Sequence, residues 1–289
     1  MGSRVGVPVR VRRVSSELRE LRLRSGLGAE EVSAALGMSM SKLSRMENGQ
    51  RGLQADDVSA LLGLYRVPAQ RREELLELLR NAAHPNWWQV QDGRLPGMWE
   101  DVIRFEREAR SIINYESTLV PGLLQTVEYA TAVVSGTDPD LNVAEVETLV
   151  SARLSRQTVL NRPSAPRLEA LIEQSILERP AGGPGVMFRQ IRHLVSTAGQ
   201  DNITVRVVPT EAGVHPGISG PFVIYDFESQ QGLVYLENRA SSAFLEESQH
   251  IAATREAHRR LQRVALSAED SVDLMNCIAE ALVRGQGAG

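Results

Sequence analysis

The sequence predicts a mainly α-helical protein, with an N-terminal five-helix domain and a larger α+β domain whose small sheet is flanked by helices. Amphipathic segments separated by glycine turns fill residues 14–84, whereas β-branched and aromatic runs of strand length begin only after residue 166. A chain of 289 residues holds about two domains. We therefore divide it into a flexible arm (1–13), an N-terminal domain (14–84), a linker (85–97) and a second domain (98–289).

A helix-turn-helix is predicted from the segments on either side of Gly37. Two amphipathic helices, 15–24 and 28–36, come before this glycine, which adopts the left-handed conformation of a tight turn at little cost. Ser39 is a favourable N-cap for the helix that follows. The helix is predicted to end at Asn48-Gly49, since both residues suit a left-handed C-terminal turn.

The helix after Gly37 has two different faces. Leu43 and Met46 are three residues apart and are predicted to pack inward. A short helix with a small, polar and basic outer face, following a glycine turn, is typical of the element that enters a DNA major groove. Four side chains are predicted to point outward, namely Met40, Ser41, Ser44 and Arg45.

The charge distribution agrees with this interpretation. Residues 1–66 contain 11 Lys+Arg and 7 Asp+Glu, a net charge of +4, whereas the whole chain has a net charge of −4. A basic N-terminal region on an acidic body limits the expected nucleic-acid footprint to one end of the chain.

Residues 14–66 resemble the phage-repressor (Xre, Cro/C1-type) helix-turn-helix domain, through Glu31-Val-Ser-Ala-Ala-Leu-Gly37 and the Ser-Lys-Leu-Ser-Arg-Met-Glu-Asn-Gly run. The resemblance implies that Met40, Ser41 and Arg45 face base edges. It also implies that four residues lie near phosphates, namely Ser39, Lys42, Asn48 and Arg51. A homodimer is expected, because one such domain contacts only half of an operator in double-stranded DNA.

Several classes of protein are excluded or disfavoured. No run of 18 apolar residues is present to span a membrane, and the N-terminus lacks the apolar stretch of a secretory signal, so we expect a cytoplasmic protein. The single cysteine, Cys277, excludes an internal disulfide. The histidines lack metal-ligand spacing, and the glycine-rich and nucleophile motifs of common enzymes are missing. We expect no metal, no cofactor and no enzymatic activity.

The second domain alternates helical and strand patterns. After a helix at 69–83 and the linker, helices are predicted at 99–115, from the Pro121-Gly122 break to 134, and at 143–160. Strands are predicted at 167–172, 203–208, 221–227 and 232–237, and helices at 185–198, 242–265 and 268–283.

This domain resembles a group of actinobacterial helix-turn-helix regulators, often described as antitoxin-like, with a C-terminal domain of uncertain function. The resemblance is carried by Trp99, Tyr115-Glu116, Val120-Pro-Gly-Leu-Leu-Gln-Thr126, Ala152-Arg153…Arg156-Gln157 and Gly220-Pro-Phe222. The resemblance itself says little about activity. We expect a transcriptional regulator whose second domain senses a small-molecule effector or partner protein, and the alternative is an antitoxin-like protein that sequesters a small partner encoded nearby and autoregulates its operon.

Polar residues within apolar runs, and aromatics near the linker, are the candidates for such a site. We expect Glu106 and Arg153 to form a buried ion pair, because a buried charge is costly without a partner. Core packing is the simpler explanation for the aromatic side chains, whereas a binding site would use them as contact area. The candidate ligand or partner residues are Trp88, Trp99, Glu106, Tyr115, Arg153, Gln157 and Glu237.

Overall fold

The computed structural model describes residues 9–49, 53–80, 97–228, 231–238 and 242–286. The chain divides into two compact units, Met1–Gln89 and Val90–Gly289. The predicted linker at 85–97 lies outside the described residues, except that Gly97 begins a helix.

Five helices form the described part of the N-terminal unit. Their shared core contains buried apolar side chains from α1, α2, α3, α4 and α5, including Leu18, Val32, Leu43, Leu61 and Leu75. The helices are α1 (Val9–Arg24), α2 (Ala29–Ala35), α3 (Met40–Glu47), α4 (Ala55–Leu64) and α5 (Ala69–Arg80).

The first helix is longer than predicted. It begins at Val9, so the predicted flexible arm (1–13) is wrong for residues 9–13, while residues 1–8 lie outside the described residues. The physical reason is that Val11 and Val14 are buried and extend the apolar face that Leu18 continues. Arginines in this segment concealed that face in the sequence.

The C-terminal unit is α+β, as predicted, with a six-stranded sheet and seven helices among its described residues. The strands are β1 (Ser111–Glu116), β2 (Arg167–Glu173), β3 (Ile203–Val208), β4 (Phe222–Asp226), β5 (Leu233–Glu237) and β6 (Ser242–Leu245). The helices are α6 (Gly97–Glu108), α7 (Val127–Thr137), α8 (Val143–Arg156), α9 (Gln174–Glu178), α10 (Pro184–Thr197), α11 (Ser248–Val264) and α12 (Ala268–Gln286).

The sheet is mixed, with strand order β3-β2-β1-β4-β5-β6. Strands β1, β2 and β3 pair in parallel, and β1 also pairs antiparallel with β4. The remaining pairs, β4 with β5 and β5 with β6, are antiparallel. Strand β1 is therefore central, and alternate β1 side chains are presented to opposite faces of the sheet.

The two faces of the sheet have different surroundings. Tyr115 and Phe222 lie on one face, where they share a buried cluster with Ile251 and Leu261 of α11. Asn114 of β1 lies on the opposite face and is directly paired with Val223 of β4. This second face, near the ends of α6 and α8, carries a cavity.

Three predicted helices differ from the structure. The helix predicted at 99–115 is wrong, since α6 ends at Glu108 and Ser111–Glu116 forms β1. The helix predicted at 242–265 is also wrong in its first part, where Ser242–Leu245 forms edge strand β6. The helix predicted at 143–160 ends at Arg156 and continues as a 3-10 turn over Gln157–Asn161. In each case the apolar residues of the strand or turn continue the apolar pattern of the neighbouring helix, and periodicity does not separate the two in so short a segment.

Within the described residues, none of the helices is both long enough and apolar enough to cross a membrane.

Candidate functional site

The N-terminal unit positions α3 through its two ends. Gly37 lies between α2 and α3 with φ of 62°, a conformation that side chains disfavour. Ser39 caps α3, and its hydroxyl oxygen accepts a hydrogen bond of 3.1 Å from the Lys42 backbone N–H. After the helix, Gly49 has φ of 63°. The glycine turn, the N-cap and the helix end therefore agree with the sequence prediction.

Helix α3 presents a polar and basic outer surface. Leu43 and Met46 are buried in the core, and Met40 is 49% exposed. Arg45 is exposed and makes no ion pair or hydrogen bond with the residues that the structure describes. The exposed residues predicted to contact DNA from this helix are Ser39, Met40, Ser41, Ser44, Arg45 and Asn48.

Two of the residues predicted to contact DNA form an ion pair or a hydrogen bond within the N-terminal unit. Lys42 Nζ lies 2.6 Å from Asp57 Oδ1 of α4, so the lysine already has a partner within the unit. Asn48 Nδ2 donates to Ser44 Oγ at 3.2 Å. Arg51, predicted to lie near a phosphate, lies outside the described residues.

A buried ion pair fixes the C-terminal end of α3 to α1. Arg22 Nε and Nη2 donate to Glu47 Oε1 and Oε2 at 2.7 and 2.9 Å, and Nη1 donates to the Leu27 carbonyl at 3.2 Å. The hydrogen bonds that Arg22 donates to Glu47 raise the pKa of Arg22, although burial opposes the shift. This fork of two bonds holds α3 in one orientation on α1.

The C-terminal unit contains a cavity of about 800 Å³ on the face of the sheet opposite Tyr115. It is enclosed by α6, the loop and turn after β1, the end of α7, α8, and the strands β1, β4 and β5. Its volume is in the range of small-molecule sites. Its lining side chains include Trp99, Glu106, Ile112, Asn114, Glu116, Gln125, Asp138, Asp140, Arg153, Arg156, Val223, Tyr225, Tyr235 and Glu237.

One arginine of the cavity is held by a carboxylate. Arg156 Nε and Nη2 donate to Glu106 Oε2 and Oε1 at 3.0 and 2.5 Å. Burial alone would lower the pKa of Arg156, but Glu106 raises it above its ordinary value. The guanidinium carbon lies 5.0 Å from the centroid of the Trp99 ring. The predicted pairing of Glu106 with Arg153 is wrong, because Arg156, one turn further along α8, occupies that position.

The other arginine has a different environment. Arg153 Nη1 donates to Gln125 Oε1 at 3.0 Å, and its guanidinium carbon is 6.0 Å from the Trp99 centroid. Burial, followed by the neighbouring charge of Arg156, lowers the pKa of Arg153. Its only hydrogen bond within the described residues is the one to Gln125, so most of its N–H donors remain available.

Two glutamates lie on the strand side of the cavity. The pKa of Glu116 is raised to about 7, chiefly by burial and also by the charge of Glu237, although a hydrogen bond from Asn114 and the charge of Arg153 oppose the shift. Asn114 Nδ2 donates to Glu116 Oε1 at 3.2 Å. A carboxyl group that changes charge near neutral pH is a common feature of functional sites.

The structure brings together four of the predicted ligand or partner residues: Trp99, Glu106, Arg153 and Glu237 line the cavity. Gln157 supports its wall, since Nε2 donates to the carbonyls of Gly122 and Gln125 at 3.1 and 2.7 Å. Tyr115 does not join them, because it lies on the opposite face and its hydroxyl donates to Glu173 at 2.7 Å. Trp88 lies outside the described residues.

Sequence reasoning missed Glu116, Arg156, Gln125 and the tyrosines of β4 and β5 as lining residues. Arg156 follows Arg153 by three residues, a spacing that places both on one face of a helix. Glu116 follows Asn114 by two residues, so a strand interpretation of this segment would have placed both on one face of the sheet.

The raised pKa of Glu116 predicts that the stability of the C-terminal unit depends on pH. Its pKa is 4.5 in the reference state and about 7 in the folded protein, so the proton is bound more tightly in the folded state. This contribution to stability is complete below about pH 4.5 and is lost as pH rises through 7. Between these pH values, the free energy of unfolding of the Glu116→Gln variant should therefore decrease less than that of the wild type.

Denaturant unfolding at several pH values measures this difference. Glu147→Gln, an exposed position on α8, is the matched control and should retain the wild-type profile. Identical pH profiles for Glu116→Gln and the wild type would show that Glu116 titrates normally.

The N-terminal fold and its exposed α3 define a helix-turn-helix protein, and a family model described as "Helix-turn-helix domain" matches residues 13–75. A family model described as "Domain of unknown function (DUF5753)" matches residues 99–276, which are more than half of the chain. The chain therefore belongs to the DUF5753 family. No curated protein and no solved structure matches it.

Proposed function

We propose that the protein is a sequence-specific transcriptional regulator of the phage-repressor (Xre, Cro/C1) type, whose C-terminal unit binds a small-molecule effector. The helix-turn-helix domain supports DNA binding. The observation that carries the proposal is the exposed face of α3, where Arg45 is exposed and unpaired among the described residues. Arginine can donate two hydrogen bonds to guanine O6 and N7, which makes it suited to reading sequence.

The effector part of the proposal is supported by the cavity. A cavity of about 800 Å³ with aromatic walls and a few charged groups has the properties of a ligand site. Its Glu106–Arg156 pair and the Arg153–Gln125 bond connect α6, α8 and the loop after β1. These groups hold one another in place, which favours binding over catalysis, and we infer that the protein is not an enzyme.

The competing function is that of an antitoxin-like protein that sequesters a small partner protein encoded nearby. A concave site of this volume favours a small molecule over a protein surface, because protein–protein interfaces are generally larger and flatter. We further propose that the regulator acts as a homodimer, since two half-sites one helical turn apart increase both affinity and specificity.

The DNA-binding part is tested with an operator selected from random duplexes. Arg45→Ala should cost about 1–3 kcal/mol of binding free energy and relax specificity at one base position. Lys42→Ala should weaken all sequences alike and reduce the salt dependence of affinity, if the lysine leaves Asp57 to contact a phosphate. Fluorescence-anisotropy titrations at two salt concentrations measure both quantities.

Arg263→Ala is the matched control, because this arginine is exposed on α11 of the other unit. It should bind the operator as the wild type does. If Arg45→Ala retains wild-type affinity and base preference, α3 is not the helix that reads the operator.

A further inference from the structure

We infer that the cavity binds a small zwitterion of amino-acid or short-peptide size, with a carboxylate and an ammonium group on a partly apolar body. This inference rests on the proposed function, since it names the class of effector that the regulator would take. It follows from the placement of Arg153 on one side of the cavity and of Glu116 and Glu237 on the other.

Arg153 supplies the position for the carboxylate. The neighbouring Arg156 is already engaged by both oxygens of Glu106, whereas Arg153 makes a single hydrogen bond, to Gln125, within the described residues. A half-buried guanidinium with unused donors gains most from a carboxylate, which accepts two parallel N–H bonds. The Trp99 ring, 6.0 Å from the Arg153 guanidinium carbon, limits the directions from which the anion can approach.

Glu116 and Glu237 supply the position for the ammonium group. Asn114 of β1 and Tyr235 of β5 are both paired with Val223 of β4, and both strands run antiparallel to β4. Two residues further along, Glu116 and Glu237 therefore project from the same face of the sheet, on either side of β4. Neighbouring strands are about 4.8 Å apart, so these backbones are about 10 Å apart and an ammonium group fits between the carboxylates.

The charge balance disfavours a purely anionic and a purely cationic ligand. Beyond the Glu106–Arg156 pair, the described lining residues include four carboxyl groups, those of Glu116, Asp138, Asp140 and Glu237, and one further guanidinium, that of Arg153. A purely anionic ligand would meet this excess of negative charge. A purely cationic ligand would leave Arg153 without an anion. A zwitterion satisfies both sides, because each end of the ligand meets the opposite charge.

The walls between the charged ends determine the body of the ligand. Ile112 and Val223 are apolar, and Tyr225 and Tyr235 are aromatic side chains on the same face of the sheet. These side chains favour an aliphatic or aromatic group over a sugar or a polyphosphate.

Isothermal titration calorimetry of the full-length protein tests the inference with unblocked dipeptides that carry aliphatic and aromatic side chains. N-acetylated and C-amidated forms of the same dipeptides remove one charge each and retain the body. Each blocked form should bind at least about tenfold more weakly than the unblocked peptide, because a charged hydrogen-bonded group is lost.

Variants assign the two ends of the peptide. Arg153→Leu should lose the preference for the free carboxylate while it retains the preference for the free ammonium group. Glu237→Gln should show the opposite pattern, and its exposed position makes it tolerant of substitution. Glu247→Gln, an exposed residue outside the cavity, is the control and should bind as the wild type does.

Equal affinity for blocked and unblocked peptides would overturn the inference, as would no binding of any of them at millimolar concentration. Binding of the C-amidated form alone would identify an organic cation and would also overturn it. Operator titrations separate this result from the proposed function. If peptides bind but do not change operator affinity, the proposed effector control is refuted and the zwitterion site is retained. If peptides do not bind and a metabolite of another chemical class changes operator affinity, the zwitterion inference is refuted and effector control is retained.

Discussion

Glu106→Ala is expected to lower the free energy of unfolding of the C-terminal unit by about 3–5 kcal/mol. The Glu106 side chain is 3% exposed and its partner Arg156 is 14% exposed, so the substitution leaves a buried guanidinium without its carboxylate. Denaturant unfolding of the full-length protein measures the loss, with the transition of the C-terminal unit followed separately from that of the N-terminal unit.

Glu128→Ala is the matched control, because Glu128 pairs with Arg189 on the surface, where the two side chains are 49% and 54% exposed. Its cost should be about 0–1 kcal/mol. A double-mutant cycle of Glu106 with Arg156 should show strong coupling, and a cycle with Arg153 should show much less. Stronger coupling to Arg153 would contradict the geometry of the pair.

Glu47→Ala is expected to destabilise the N-terminal unit by about 3–5 kcal/mol and to reduce operator affinity. Glu47 and its partner Arg22 are 6% and 13% exposed, and the pair joins the last residue of α3 to α1. Without this pair, α3 loses a contact that fixes its orientation, so the proposed DNA-binding surface should be less well organised. Thermal unfolding and operator titration of the same variant measure the two effects.

Glu20→Ala provides the control in the same unit. Glu20 pairs with Arg24 at 3.1 Å, but the side chains are 61% and 74% exposed. This variant should lose less than about 1 kcal/mol of stability. A Glu47→Ala protein as stable as Glu20→Ala would show that the buried pair contributes little.

The helix-turn-helix was largely predictable because its signals are local. Gly37, the Ser39 cap and the Asn48-Gly49 helix end each constrain the backbone within a few residues, and the structure agrees with each of them. The Arg22–Glu47 pair was not predictable, because its partners are 25 residues apart and meet only when α1 packs on α3.

The central strand of the sheet was missed because two periods overlap. The spacing of Phe105, Ala109 and Ile112 fits a helical face, and the break between α6 and β1 lies just after Ala109. Six residues of strand give too few alternations to separate a period of 2 from one of 3.6. Strand β6, with four residues, is shorter still and joins closely to α11.

The cavity was predicted only in part, because its residues come from distant segments. Sequence could place Glu106, Arg153 and Glu237 in apolar surroundings, but not decide which arginine of α8 meets Glu106. Arg153 and Arg156 lie on one face of the helix, and the choice depends on how α8 lies against α6. That packing is long-range, as is the sheet register that places Glu116 and Glu237 on one face.

Lys42 gives the chain an unusual chemical property, because it is the only lysine in the sequence. Its amine lies on α3 and contacts Asp57, so acylating reagents that attack lysine side chains have a single target in this chain, within the surface that we propose faces DNA. Mass spectrometry of the acylated protein would therefore report occupancy of that surface from one peptide. A duplex that covers α3 should protect the amine, and the ratio of modified to unmodified peptide would follow operator binding without an introduced label.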